Sequence, residues 1–391
     1  MQKSLHCRTM WAMREIRYFD NAATTSMSRS ALDAYTKAVV QYRGNPSSLH
    51  QEGRDAKAFL EQTRADLAGL LGVDPLSLTF TSGATESNAI ILNSLIWKER
   101  KGQVILSGIE HPSVSEYARL LKQLGWKVTT LAAPNGFVQK EDLQKALSSE
   151  TRLVCIMLVN NVVGTIQDVG GLVEVVRAFE SEHNNRKIHV HTDATQALGK
   201  IRFDLQAMGI DSASFSAHKL HGPRGVGLLY NTNAGIESLS RGGLQERGLR
   251  PGTENIGGIA AMHQAVKDAF HSLEENYKHV SGLNAFLRDK LSALPIFSPS
   301  EHCSPYILAL AHPKLPSEVF TRLLFDQGLC VSSGSACSNN AKQKSQSVLT
   351  AMAFSAQLAK NSIRISLSKD TTAEDVEILA QAVTQLILEH A

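Results

Sequence analysis

The sequence predicts an α/β protein, with a large unit built on a mostly parallel sheet covered by helices on both faces and a smaller α+β unit after it. Three observations carry this expectation. From residue 78 to residue 230, short apolar runs alternate with helical stretches, the pattern of strands joined by helical crossovers. Residues able to do chemistry fall just past the ends of those runs, where sheets of this kind bind ligands. From about residue 260 the alternation gives way to a long helical stretch followed by short strands and helices. The expected division is an N-terminal extension over 1–17, a large unit over 18–262 and a small one over 263–391 that also takes the N-terminal segment.

In chain order, Tyr18–Asp20 reads as a short strand running into NAATT, where Thr24, Thr25 and Ser26 offer helix caps. A helix is expected over Ala31–Tyr42 and, after the turn-rich RGNPSSLHQEG, a longer one over roughly Asp55–Leu71 at the 3.6-residue period. LTFT leads into SGATES and a helix, a strand–glycine–helix turn that presents N–H groups and hydroxyls to an anion. The strands that follow are QVILSG, KVTTLAA, RLVCIMLVN, IHVHTD and SASFSAH, separated by helices, the last of them a short one at FDLQAMG. A helix over Ile259–Tyr277 continuing toward Leu294, the strands YILALAH and SIRISLS and a final helix complete the chain.

Composition excludes several classes. A hydrophobic share of 43% and a charged share of 20% describe a folded globular chain. Net charge is +3, from 40 basic and 37 acidic residues, which is no nucleic-acid footprint. The longest apolar run, LVCIMLV, falls far short of the roughly 20 residues of a membrane span. MQKSLHCRTMWAMREIR lacks the apolar core of a secretory signal, and Met13 offers an alternative start. The 5 cysteines form no CxxC pair, so neither a disulfide framework nor a structural zinc site is expected, and reduced thiols suit the cytoplasm. Cys155 and Cys330 read as core packing.

The densest chemistry lies between His189 and Tyr230. One run ends on Asp193 and the next on Lys219, flanked by His218 and His221. A carboxylate and a lysine at neighbouring strand ends are costly unless they are paired or used. A single use fits both: the lysine carries an aldehyde cofactor as a Schiff base, and the aspartate keeps the cofactor's ring nitrogen protonated. The plainer reading of Lys219 is a surface lysine, and that of Asp193 a helix cap. His189, His191 and Asp193 also share one strand face by the period of two, a set that suits zinc and would make a metal-dependent hydrolase. His111 begins a helix before Pro112, either as a solvated loop histidine or as a ring stacked on a flat cofactor with acid/base capacity. Cys337 lies in the small-residue loop VSSGSACSNN, where exposure and reach suit a nucleophilic thiol and an incidental cysteine is the alternative. Arg364, in SIRIS, is either a rim arginine or a fork for a substrate carboxylate.

In order along the chain stand DNAATT, RGNPSSLHQEGR, TSGATESNA, EHPSV, VNN with GTIQ after it, HTDATQ, SFSAHKLHGPRGVG, QERGLRPGTEN, SSGSACS and SIRISLS. Together they resemble the cysteine desulfurases of the class V aminotransferase family, over nearly the whole chain from Tyr18. The SSGSAC form of the cysteine loop resembles the branch that serves iron–sulfur cluster assembly and nitrogenase maturation. The resemblance implies the aspartate aminotransferase-like fold of pyridoxal-phosphate-dependent transferases, with a seven-stranded sheet in the large domain. It implies pyridoxal 5'-phosphate on Lys219, Asp193 at the ring nitrogen, His111 stacked on the ring, and Gln196 and Asn161 near the phenolic oxygen. Ala84, Thr85, Ser216 and His218 would surround the phosphate, joined by Thr253 from the second subunit of a homodimer. Arg364 with Asn161 would hold the carboxylate of L-cysteine, and Cys337 would take the sulfur as a persulfide, releasing L-alanine and passing the sulfur to an acceptor protein. A selenocysteine or cystine lyase on the same fold is the alternative enzyme. Three positions depart from the family pattern: Val162 and Val163 stand where a glutamate is usual, KQKSQS (342–347) replaces the usual helix start after the cysteine, and Pro251 replaces a serine.

Overall fold

The alternating segments form one seven-stranded sheet in the computed structural model, which describes residues 15–333 and 348–390. Counting the short β1 (Arg17–Tyr18) first, its strands are β2 (Leu78–Thr81), β3 (Gln103–Ser107), β4 (Lys127–Leu131), β5 (Thr151–Cys155), β6 (His189–Asp193), β7 (Ser212–Ser216) and β8 (Gly227–Asn231). Their order is β2-β8-β7-β6-β5-β3-β4, and only β8 runs against its neighbours. β2, β3, β6 and β7 are buried at every position, as a sheet covered on both faces requires. Two of these strands, HVHTD and SASFS, are nonetheless rich in polar side chains, which must therefore find partners inside the protein.

The smaller part is built on a three-stranded antiparallel sheet, β11 (Ser332–Ser333), β12 (Ser362–Ser366) and β9 (Ile307–Ala311), with β12 in the middle. Its apolar core joins Ile363 and Ile365 of β12 to Val280 and Leu287 of the helix Leu273–Lys290 and to Leu379 and Val383 of the C-terminal helix Ala373–Glu389. Phe19 and Ala22 belong to this second core, and β1 pairs in parallel with β10 (Leu329–Cys330). The N-terminal strand therefore completes the C-terminal part of the chain.

Local chemistry explains where elements start and stop. The second helix begins at Gln51, not near Asp55, because the His50 side chain accepts the Gly53 N–H as its cap; it ends where Gly72 turns left-handed at φ 68°. The long helical stretch breaks at Ser272 into Ile256–His271 and Leu273–Lys290. The short helix expected at FDLQAMG does not form. Asp204 Oδ1 accepts the N–H groups of Gln206 and Ala207 in a tight turn, and Gly209 closes it at φ 65°. Thr24 and Thr25 cap no helix either. Ser28 takes that place, while the threonines bind the segment around Lys219.

A buried ion pair ties the helix Gln51–Leu71 to the edge of the main sheet. Arg64 donates from both terminal nitrogens to Glu246 at 2.7 and 2.8 Å, and Glu246 also accepts the Phe80 N–H at 2.9 Å. Glu246 and Arg247 are left-handed, at φ 46° and 58°, so these contacts hold a strained turn. Removing Glu246 leaves the buried Arg64 with only the half-exposed Glu61 as a charged partner, at 3.0 Å. Glu246→Ala is expected to cost about 3 kcal/mol of unfolding free energy in a urea titration; a loss under about 1 kcal/mol would show that the turn does not depend on the pair.

Candidate active site

Five strand ends and one N-terminal loop converge on one crevice. β6 ends on Asp193; β7 ends on Ser216 and turns through Ala217–Lys219; β3 ends at Ser107, just before Glu110 and His111; β5 leads toward Asn160 and Asn161; and β2 ends before Ser82-Gly83-Ala84-Thr85. All lie at the carboxyl edge of the sheet.

Lys219 sits on a one-turn 3-10 helix and reaches back under the N-terminal loop, where its Nζ donates to the carbonyls of Ala22 and Ala23, both at 2.7 Å. Gln196 joins it there, its Nε2 donating to Ala22 at 2.9 Å. The Oε1 of Gln196 is held at 2.9 Å by Nζ of Lys200, a fully buried amine that burial, Lys219 and Arg364 push down to about 7. Because Lys200 claims the acceptor end of Gln196, the end turned to Ala22 is the amide donor.

Asp193 is buried. Its Oδ1 accepts the Thr195 N–H at 3.0 Å and its Oδ2 accepts Nδ2 of Asn88 at 3.0 Å. Among the described residues no basic side chain forms an ion pair with it. The side chain of His111 caps the helix Pro112–Gln123: its Nδ1 accepts the Ser113 N–H at 3.1 Å and lies 2.9 Å from Ser113 Oγ. Burial, and after it the charge of Lys219, lowers the His111 pKa against the opposing pull of Asp193.

Arg364, expected at a rim or as a fork, is on the central strand β12 and is buried. One terminal nitrogen donates to Asn161 O at 2.8 Å, the other pairs with Asp20 at 2.7 Å, and its buried Nε has no partner among the described residues. A guanidinium with a donor left over beside Asn161 suits an added carboxylate.

On the other side of Lys219, Gly83 approaches Ser216: a Cβ added at Gly83 would lie 3.5 Å from Ser216 Oγ. No side chain caps the helix Ala84–Asn93 that starts there, so its first N–H groups face the crevice. His218, next to Ser216, is held near 4 by burial and by the charges of Lys219, Arg224 and Lys200, which marks this corner as electropositive. Gly83, just before Ala84 and Thr85, thus lies near Ser216, two residues before His218. Thr253 is exposed, on the loop after Arg250, and contributes nothing to this corner within the chain. Cys337 lies outside the described residues, as does the KQKSQS stretch.

The zinc reading of the β6 histidines finds no support. Both nitrogens of His189 and both of His191 take part in hydrogen bonds, with Ser212 lying between the two rings and Asn88 between His191 and Asp193. Among the described residues no group of three or more His, Cys, Asp or Glu is arranged to hold a metal ion. Sequence reasoning passed over Asn88, Lys200, Asp20 and Glu110. Only Asn88 left a usable signal, standing one helical turn beyond Ala84 on the same face.

A lysine and a buried carboxylate at adjacent strand ends of a mostly parallel, doubly covered sheet mark a pyridoxal-phosphate-dependent enzyme. The family model described as aminotransferase class-V matches residues 17–379, and the chain belongs to that family. It is 38% identical to a NifS/IcsS protein homolog of Lactobacillus delbrueckii subsp. bulgaricus over 94% of this chain and 96% of that one. It is 34% identical to a cysteine desulfurase IscS of Dictyoglomus turgidum over 96% and 95% of the two chains. A solved structure of a NifS-like protein superimposes with a TM-score of 0.88 at 36% identity, covering 95% of this chain and 99% of that one.

The crevice fits the cofactor that this family implies. A buried carboxylate with no ion-pair partner among the described residues suits a protonated ring nitrogen, and an uncapped helix start beside Ser216 suits a phosphate.

Glu110 offers a separate check on the crevice wall. Its Oε1 accepts Ser107 Oγ–H at 2.5 Å and Met157 N–H at 2.7 Å, its Oε2 is buried without a partner, and burial raises its pKa from 4.5 to about 7. A raised acid favours the folded state at low pH, and that contribution is lost as pH climbs from about 4.5 through about 7. Glu110→Gln is expected to remove about 3 kcal/mol of this pH dependence, read as the difference between urea unfolding energies at the two ends of the window. Equal losses in variant and wild type would show that Glu110 ionises freely.

Proposed function

We propose that this enzyme is a cysteine desulfurase, which takes the sulfur of L-cysteine onto Cys337 as a persulfide and releases L-alanine. The observation that carries the reading is the buried Asp193 at the end of β6 with Lys219 just past the end of the neighbouring β7, within a chain whose relatives bear the name cysteine desulfurase. Bound pyridoxal phosphate supplies an electron sink for the substrate's α-carbon. The protein does the rest. Lys219 is the point of attachment. Asp193 would hold a proton on the ring nitrogen, and Gln196, whose acceptor end is taken by Lys200, would lie near the phenolic oxygen with Asn161. Ala84, Thr85, Ser216 and His218 receive the phosphate at the helix start, and Thr253 reaches the same corner from the partner of a homodimer.

Arg364 and Asn161 orient the substrate carboxylate. His111 covers the ring and moves protons at Nε2, since its Nδ1 is committed to the helix cap. The thiolate of Cys337 then attacks the substrate sulfur: an S–S bond forms, the C–S bond breaks, and a proton replaces sulfur on the carbon that becomes the methyl group of alanine. The persulfide passes to an acceptor protein for iron–sulfur cluster or thio-cofactor and tRNA synthesis. The thiols are those of a cytoplasmic protein, and no helix among the described residues is long and apolar enough to cross a membrane.

Cys337→Ala is expected to abolish persulfide formation and to lower alanine release from L-cysteine by at least about a thousandfold, while the visible absorption of the bound cofactor persists. Lys219→Ala is expected to lose both. Release of alanine from L-cysteine by Cys337→Ala at the wild-type rate would overturn the persulfide mechanism and favour a lyase that eliminates sulfur without a protein thiol.

A further inference from the structure

The polar side chains of β6 and β7 form an ordered row, and the hydrogen on each can be assigned by elimination. Asp193 can only accept, so the Asn88 amide must turn its NH2 end toward it, at 3.0 Å, and its carbonyl toward His191 Nε2, at 2.9 Å. His191 therefore carries its hydrogen on Nε2. With that ring fully buried and held near 3 by burial, its Nδ1 is bare and accepts from Ser212 Oγ at 2.7 Å. The Ser212 hydroxyl has then given its only hydrogen and must accept from His189 Nε2, also at 2.7 Å. His189 Nδ1 lies 3.2 Å from Asn233 Nδ2, and the other end of that amide accepts the Gly235 N–H at 2.8 Å, which fixes its direction too. Every donor points the same way, from the exposed Asn233 down to the buried Asp193.

We propose that Asn233, His189, Ser212, His191 and Asn88 form a one-way hydrogen-bond chain that ends on Asp193, with both histidines neutral and protonated on Nε2. Its work is to hold the Asp193 carboxylate in place through the donor at its Oδ2. The assignment of hydrogens rests on the contact geometry and on the neutrality of the buried His191 ring; the link to cofactor binding rests on the function proposed above. A head-to-tail chain in a low-dielectric interior polarises each bond in the same sense, so the last donor is stronger than an isolated amide would be. The histidines are positioning residues, since neither is in contact with Asp193 and Asn88 stands between. The arrangement also explains why a strand buried at every position can hold two histidines without a counter-charge.

The test uses the full-length chain with nitrogen-15-labelled histidine, assigned through His189→Gln and His191→Gln. Long-range nitrogen–proton spectra at neutral pH, with pyridoxal phosphate bound and removed, are expected to show a bare Nδ1 and a protonated Nε2 on both rings. A proton on Nδ1 of either ring, or a cationic ring, would overturn the chain. Ser212→Ala cuts it in the middle without touching the Asn88–Asp193 contact. It is expected to raise the dissociation constant of pyridoxal phosphate about three- to tenfold and to shift the His191 signals, with Ser212→Thr restoring both. Unchanged affinity in a folded Ser212→Ala would overturn the proposed hold on Asp193. Should Ser212→Ala not fold, the spectra of the unsubstituted protein decide the matter. A wild-type protein with the expected tautomers that releases no alanine would refute the desulfurase reading and leave the chain standing.

Discussion

A negative charge must survive at the inner end of β6, and much of the structure is arranged around that requirement. A buried carboxylate loses its hydration and has to be repaid in hydrogen bonds. Asp193 draws on two of them, from the Thr195 backbone and from Asn88, whose helix begins at the glycine turn facing Ser216. The strand order places β6 between β7, which delivers Lys219, and β5, which leads to Asn161. The same placement buries both faces of β6, so its polar residues must be satisfied side to side. The sheet cannot swap the serines and histidines of HVHTD and SASFS for valine without leaving the charge unsupported.

The N-terminal loop is the second constraint. Phe19 is packed in the smaller core, Asp20 bridges to Ser366 and pairs with Arg364, and Asn21 donates to Ser366 O. A few residues on, Ala22 and Ala23 accept from Lys219, Thr24 meets His218, and Thr25 accepts the His221 N–H. One short stretch thus fastens the β12 arginine of one core to the β7 lysine of the other. Displacing Asp20 would disturb both groups together, though it lies in neither sheet.

The sequence made the α/β class, the strand ends and the conjunction of Asp193 with Lys219 legible, because each rests on local periodicity and on the cost of burying charge. It exposed less where partners are distant in the chain. Arg64 and Glu246 are 182 residues apart, and nothing near either one announces that they are paired and buried. The NAATT threonines have the composition of helix caps, and only the folded loop shows them bound to the lysine segment. FDLQAMG has a helical composition, but the Asp204 side chain outcompetes a helix too short to nucleate. His189 and His191 matched the spacing of metal ligands, and Ser212, from the next strand, decides between the two readings. Side-chain identity at a strand position is local information; what that side chain faces is not.

The cysteines among the described residues stand apart from the fixed part of the chemistry. Of its 5 cysteines, the three within the described residues are unsuited to attack at neutral pH: burial raises the Cys155 thiol well above its ordinary range, Cys303 to about 11, and Cys330 upward as well. None lies on the strands that lead to Asp193 and Lys219; Cys155 ends the neighbouring β5 and is packed in an apolar cluster. A nucleophilic thiolate inside this crevice would sit in the same low-dielectric surroundings that raise Glu110, and it would be protonated there for the same reason. β11, which is paired with the Arg364 strand, ends at Ser333, four residues before Cys337 in the sequence. Burial serves the charge that must stay still, and it disarms the thiols that share it.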